Sequence, residues 1–324
     1  MEKAYDVPDT VKADDKWLMP YLASLDPETD YERMISIFSQ YSLNMFALQF
    51  VVTAGTLHNI QTPEGAETLA YTNKIVRRPN RRNADGLGFF WTWFANGPSH
   101  PRAKESIARL NDIHMGVAKH LPGGFKRTED FIYTLCVIGT LQSRIMADLG
   151  LPTLPPFLKI AMHHEMRALA EQFVTVDALV TGFPDSYEGM EAFIEAFDAR
   201  DWGAATQAHT TIAESMIDDF ATRFFPPYLH WLGQNYVKFA VKEHLLVRYG
   251  VTPLTPEERE MTANVMRTMY VTQMMAPDSK VSFLDTWVPP SNDEILAADR
   301  QYAAVADARG WLKGGQETLA ATRG

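Results

Sequence analysis

The chain has 324 residues, 46% of them hydrophobic, with 30 basic against 40 acidic side chains and a net charge of −10. This length and apolar content suit a folded chain with a sizeable core and exclude a disordered one. The acidic balance argues against nucleic acid or an anionic membrane surface as a partner.

The first thirty residues are polar and acidic and lack the basic start and apolar run of a signal peptide. They read as an N-terminal arm, 1–30. Residues 31–311 read as one compact all-α domain, and 312–324 as a C-terminal tail. The apolar run NMFALQFVVTAG is too short to span a bilayer, so no transmembrane segment and a cytoplasmic location are expected.

In chain order the helical period dominates. Residues 26–55 open with acidic first-turn residues and end at Gly55; EGAETLAYTNKIV follows as a second helix. Ser99 is a plausible N-cap for the helix that stops before Pro122-Gly123-Gly124. The next two run to Gly150 and from Pro155-Pro156 to Gly182. Five further helical stretches follow: 186–199, 202–225, 228–250, 256–275 and 292–310. No stretch alternates long enough to argue a sheet. The single cysteine, Cys136, sits in the apolar run FIYTLCVIGTL and reads as a buried bystander. Alone, it excludes an intrachain disulfide, a cysteine zinc cage and covalent haem attachment.

Nine histidines in an all-helical chain raise three metal readings. A di-iron carboxylate bundle needs Glu-x-x-His on two helices, and the chain has none. A zinc hydrolase of the His-Glu-x-x-His type is not matched either. His163 and His164 are adjacent in HHEMR and point about 100° apart on a helix, so one is expected buried and one exposed. The third reading, haem, needs only one neutral imidazole in an apolar pocket, with cations or donors for two propionates. His114 has Ile107, Leu110, Val117 and Leu121 on its helical face. The stretch GLGFFWTWF, 86–94, could wall such a pocket, and the arginines of RRPNRR could meet the propionates. Period alone leaves this open, because a histidine on an apolar face is more often a plain core residue.

Three elements in order sharpen the choice. They are Arg81-Arg82-Asn83-Ala84-Asp85-Gly86, then Arg109-Leu110-Asn111-Asp112-Ile113-His114, then Thr128-Glu129-Asp130-Phe131-Ile132-Tyr133. This segment of about fifty residues resembles the rubber oxygenase and mycophenolic-acid-type oxygenase family. That family shows a basic K-R-x-x-D-T element, an R-x-N-x-I-H element and an N-D-D-x-L-Y element in the same order.

The resemblance implies an all-α fold enclosing a non-covalent b-type haem, with His114 as the axial ligand. It places Arg82 on the oxygen side of the haem, with Asp85 as a distal acid or water-orienting group. Gly86 stands where both branches of the family carry a threonine, and the distal lysine of the rubber enzymes is absent. Arg81 would serve as a second donor to oxygen or propionate. Asn111 would pin the imidazole or touch the haem edge, and Arg109 would form an ion pair.

The function so implied is a haem-dependent oxygenase using O2 on a hydrophobic, unsaturated, terpenoid- or lipid-like substrate, by oxidative C=C cleavage. The competing readings are a haem-binding carrier or sensor without turnover, and a helical scaffold that has lost its cofactor site. The methionine-rich run VMRTMYVTQMM, 265–275, suggests an adaptable lining for the substrate or ordinary core.

Overall fold

Caps and prolines cut the chain into helices. The structure, a computed structural model, describes residues 3–121 and 123–311. Among these there are 16 α-helices and no strand; one isolated bridge joins Val174 and Leu179. The all-α expectation holds. The expected tail, 312–324, lies outside the described residues.

In order the helices are α1 (Leu18–Ala23), α2 (Tyr31–Ser42), α3 (Met45–Asn59), α4 (Pro63–Thr72), α5 (Lys74–Arg77) and α6 (Pro79–Asn96). Then come α7 (Pro101–Ala118), α8 (Thr128–Asp148), α9 (Pro156–Ala170), α10 (Tyr187–Asp198) and α11 (Gln207–Phe224). The last five are α12 (His230–Ala240), α13 (Glu243–Arg248), α14 (Pro256–Met275), α15 (Phe283–Thr286) and α16 (Asn292–Ala308). Proline occupies the first turn of α4, α6, α7, α9 and α14, where a missing N–H costs nothing. Thr255 with Glu258 and Ser291 with Glu294 close capping boxes on α14 and α16.

Several expected boundaries shift, each for a local reason. The stretch 26–55 breaks into α2 and α3, bent by 115°, because the Asn44 side chain accepts from Ala47 N at 2.9 Å and starts a new helix. The helix expected to reach Gly182 stops at Ala170, and residues beyond it turn back on themselves at Thr175. His100, not Ser99, caps α7: its Nδ1 accepts from Arg102 N at 3.2 Å, while Ser99 donates to Glu32. Residues 79–96, not among the helices expected from the period, form the 18-residue α6 with Gly86 and Gly88 near its middle.

The N-terminal segment is no free arm. Trp17, Leu18 and Leu22 are buried in the main core, and Ala4 N donates to Ala95 O at 3.2 Å. That core runs from Val7 to Trp311. A satellite cluster gathers Leu48, Leu87, Trp91, Ala95 and Leu284. Cys136 is buried, as expected, and burial pushes its thiol far up.

α8 lies at the centre, packed by α3, α9 and α10, while α11 pairs with α12. Two glycines permit these approaches. A Cβ at Gly139 of α8 would lie 2.7 Å from the Met190 Cε of α10. One at Gly233 of α12 would lie 2.8 Å from the Ala221 Cα of α11. Among the described residues, no single helix is long and apolar enough to cross a membrane.

Candidate functional site

α7 brings His114 to a cavity of about 320 Å³ that α3, α4, α6 and the first half of α8 also line. The wall is largely apolar, with Leu110, Phe131, Leu135 and Ile138 among its members. Arg82, Asp130 and Glu64 bring charge to it.

The imidazole sits in an aromatic box. Phe125 stacks on it at 4.2 Å between centroids and 15° between planes. Phe173 lies near-parallel at 6.4 Å, and Phe131 meets it edge-on at 5.8 Å. Nδ1 is buried without a hydrogen-bond partner among the described residues. Burial lowers the His114 pKa to about 4, so the ring is neutral at pH 7. A metal approaches imidazole in the ring plane, along a nitrogen lone pair, so rings stacked on its faces do not block ligation.

Asn111, one turn earlier on α7, does not touch the cavity. It is buried; its Nδ2 donates to Gln172 O at 2.9 Å and its Oδ1 accepts from Val174 N at 3.3 Å. It thereby clamps the segment that carries Phe173 against His114. Val176 N donates to Phe125 O at 3.1 Å, so the same segment also holds the second stacked ring. Phe125 sits at φ +57°, a conformation rare for a bulky residue, just after Gly123-Gly124. The expected direct contact of Asn111 with cofactor or imidazole is thus replaced by support through Phe173.

α6 divides the basic element. Arg82 lines the cavity, and its Nη2 donates to Thr56 Oγ1 at 3.4 Å. Burial lowers its pKa to about 10 against the pull of Asp219, which leaves it charged at pH 7. Arg81 and Asp85 lie off the cavity. They are exposed and pair with each other at 3.6 Å, one helical turn apart. Arg81 Nη1 also donates to Asn292 Oδ1 at 2.7 Å, and Lys74 pairs with Asp85 at 3.6 Å. Neither is placed to act on a ligand at His114. Gly86 is exposed, and a Cβ there would meet nothing within 4 Å. Arg109 is exposed and has no ion pair among the described residues.

Two acids line the cavity, Glu64 of α4 and Asp130 on the first turn of α8; Asp130 is the one held close to neutrality. Its Oδ2 accepts from Arg127 Nε at 3.3 Å; its Oδ1 is buried without a partner. Burial raises its pKa to about 6, with Arg127 opposing. Arg127 also donates to Glu64 Oε2 at 2.8 Å and lies over the Trp202 ring. Asp130 stood inside the third sequence element, but nothing there marked its side chain as inward-facing. GLGFFWTWF contributes only Trp93 to the wall; Phe90 and Trp91 pack elsewhere.

No other histidine lines this cavity. His163 is buried, with Nε2 2.8 Å from Pro184 O, and His164 is half-buried and 2.6 Å from Glu28. Among the described residues no three His, Cys, Asp or Glu side chains converge as a metal cage. A metal at His114 would therefore need a larger cofactor to supply its remaining ligands. Comparison with protein-family models and with curated proteins finds no match for the chain.

Proposed function

We propose that the His114 cavity holds a b-type haem and that the protein is a haem-dependent oxygenase acting with O2 on a hydrophobic, unsaturated substrate. The observation that carries this reading is an imidazole kept neutral by burial, without a hydrogen bond, in an apolar cavity that also contains a guanidinium. A structural histidine is normally hydrogen-bonded, so an unpartnered buried nitrogen calls for a ligand. The donor set fits haem: one neutral imidazole, apolar walls, and one fixed cation. At about 320 Å³ the space is at the low end of the roughly 300–1,000 Å³ usual for ligand cavities. A tetrapyrrole would have to displace a wall, and Phe125 stands on a glycine-rich turn rather than a helix, tied by one backbone hydrogen bond to Val176.

When bound, the haem would supply the iron centre for oxygen chemistry. His114 would ligate through a ring nitrogen, and Phe173, backed by Asn111, would hold the ring's angle. Arg82 would offer N–H donors to an anionic oxygen or a propionate in surroundings that exclude water, where such bonds are strong. Asp130, with its pKa near 6, could hold or release a proton at its free oxygen, the role expected of Asp85. The apolar wall would receive an alkene rather than a polar substrate.

The test is the visible spectrum of the protein and of His114→Ala, with and without added hemin. A Soret band present in the wild type and lost or strongly shifted in the variant supports the assignment. No Soret band in either protein after hemin addition overturns it. Oxygen uptake with terpenoid alkenes then separates an oxygenase from a carrier or sensor.

A further inference from the structure

The methionine-rich stretch does not line the His114 cavity. Instead, Tyr270, Gln273 and Met274 of α14 help to line a second cavity of about 910 Å³. Leu18 of α1, Phe38 of α2, Met146 of α8 and Phe157 of α9 close its other sides. The two cavities share no lining residue, although α8 contributes to both.

The chemistry of this second wall is one-sided. Its only charged side chains are Lys16 and Asp278, which pair with each other at 3.4 Å. Asp278 also accepts from Leu18 N at 2.9 Å, and Lys16 donates to Ala276 O. Gln273 donates to Ser42 O, Gln40 donates to Tyr5 O and accepts from Ser282, and Asn44 caps α3. No charge on this wall is left for a polar ligand.

The cavity is also too large and too exposed to be a packing defect. Protein interiors carry few voids larger than a water molecule. At its mouth Met274 is 47% exposed and Val281 54% exposed, so apolar surface faces water there. Methionine side chains adapt to an irregular apolar guest. A long hydrocarbon chain meets all three conditions: it needs no charge, it fits within the volume, and it covers the mouth residues.

We propose that this second cavity binds the hydrocarbon chain of a single-chain lipid, with the polar head left at the solvent mouth. The inference stands apart from any chemistry at His114.

The test titrates the full-length protein with cis-parinaric acid, a fluorescent long-chain polyene acid, kept below its micelle concentration. The expected result is a saturable rise in fluorescence at one chain per protein. Met274→Glu, a half-exposed mouth position that should leave folding intact, and Met146→Trp, which narrows the cavity, should each weaken binding by about tenfold. Leu110→Trp, which fills the His114 cavity, should change it by less than about twofold. Presenting the same free acid dissolved in phosphatidylcholine vesicles identifies the source. Transfer from vesicles means that the chain is drawn from a membrane; binding of the free acid alone means a soluble lipid. No saturable signal in the wild type overturns the proposal. So does binding that Leu110→Trp abolishes while both second-cavity variants keep it, or binding that no variant alters.

Discussion

His58 and His114 are both held neutral by burial, each with its pKa lowered to about 4, yet they do opposite things. His58 is fully buried and spoken for. Its Nε2 lies 3.2 Å from Ala240 O and its Nδ1 3.5 Å from the Tyr133 hydroxyl. Tyr133 in turn donates to Asp198 at 2.6 Å, Gln61 donates to the same oxygen at 2.9 Å, and Lys242 pairs with Asp198 at 2.8 Å. Burial pushes Asp198 up, but these three partners outweigh it and hold its pKa below the usual range. His114 has phenyl rings on its faces and no hydrogen bond among the described residues. Desolvation alone therefore does not separate the two histidines; the missing partner beside a cavity does.

The comparison can be broken in several ways. The largest expected effect is a split between two alanine variants. His114→Ala should abolish hemin uptake while costing roughly 1–2 kcal/mol of stability, since it removes ring contacts but no hydrogen bond. His58→Ala should cost roughly 2–4 kcal/mol, through a cavity and broken hydrogen bonds, and leave hemin uptake in place. Urea unfolding and a hemin titration on both variants decide; equal loss of hemin binding would remove the distinction.

Glu165 of α9 tests whether a missing partner means function without a cavity. It is fully buried, neither carboxyl oxygen has a partner among the described residues, and it lines none of the cavities described above. Burial and the nearby Glu32 raise its pKa well above the usual range. Glu165→Met should stabilise the protein by about 1–3 kcal/mol at pH 7 and leave hemin binding alone. The folded state holds this proton and the unfolded chain releases it above about pH 4.5. The wild type thus loses stability as pH rises through that range, and the advantage of the variant should grow with pH. Unfolding midpoints at pH 4 and pH 7 measure it; an advantage larger at pH 4 would reverse the sign.

Asn111→Ala should cost roughly 1–2 kcal/mol and broaden or shift the hemin spectrum without abolishing uptake, because it frees Phe173 rather than the ligand. An unchanged spectrum would show that the clamp does not reach His114. The smallest effect belongs to Asp85→Asn. Its ion pairs are exposed, so stability should change by less than about 1 kcal/mol and hemin binding not at all. A lost Soret band in that variant would return Asp85 to the site.

Much of the helical order is legible in the sequence because capping and period are local. Thr255, Ser291 and the first-turn prolines mark where α14, α16 and others begin. The misses are tertiary in cause. α6 carries two glycines near its middle, and packing against α2, α7 and α16 holds it helical. The stretch after Ala170 has apolar residues at helical spacing, yet Asn111 and the turn at Thr175 bind its backbone instead.

By itself the sequence determined that the chain is helical and that His114 lies on an apolar helix face. Only the tertiary structure decided which face of α6 turns inward. It admits Arg82 and leaves Arg81 and Asp85 in water, and it brings Asp130 to the wall from a helix 45 residues further on. The physical reason is that helical phase is set by residue spacing, whereas the direction a face points is set by the helices packed around it.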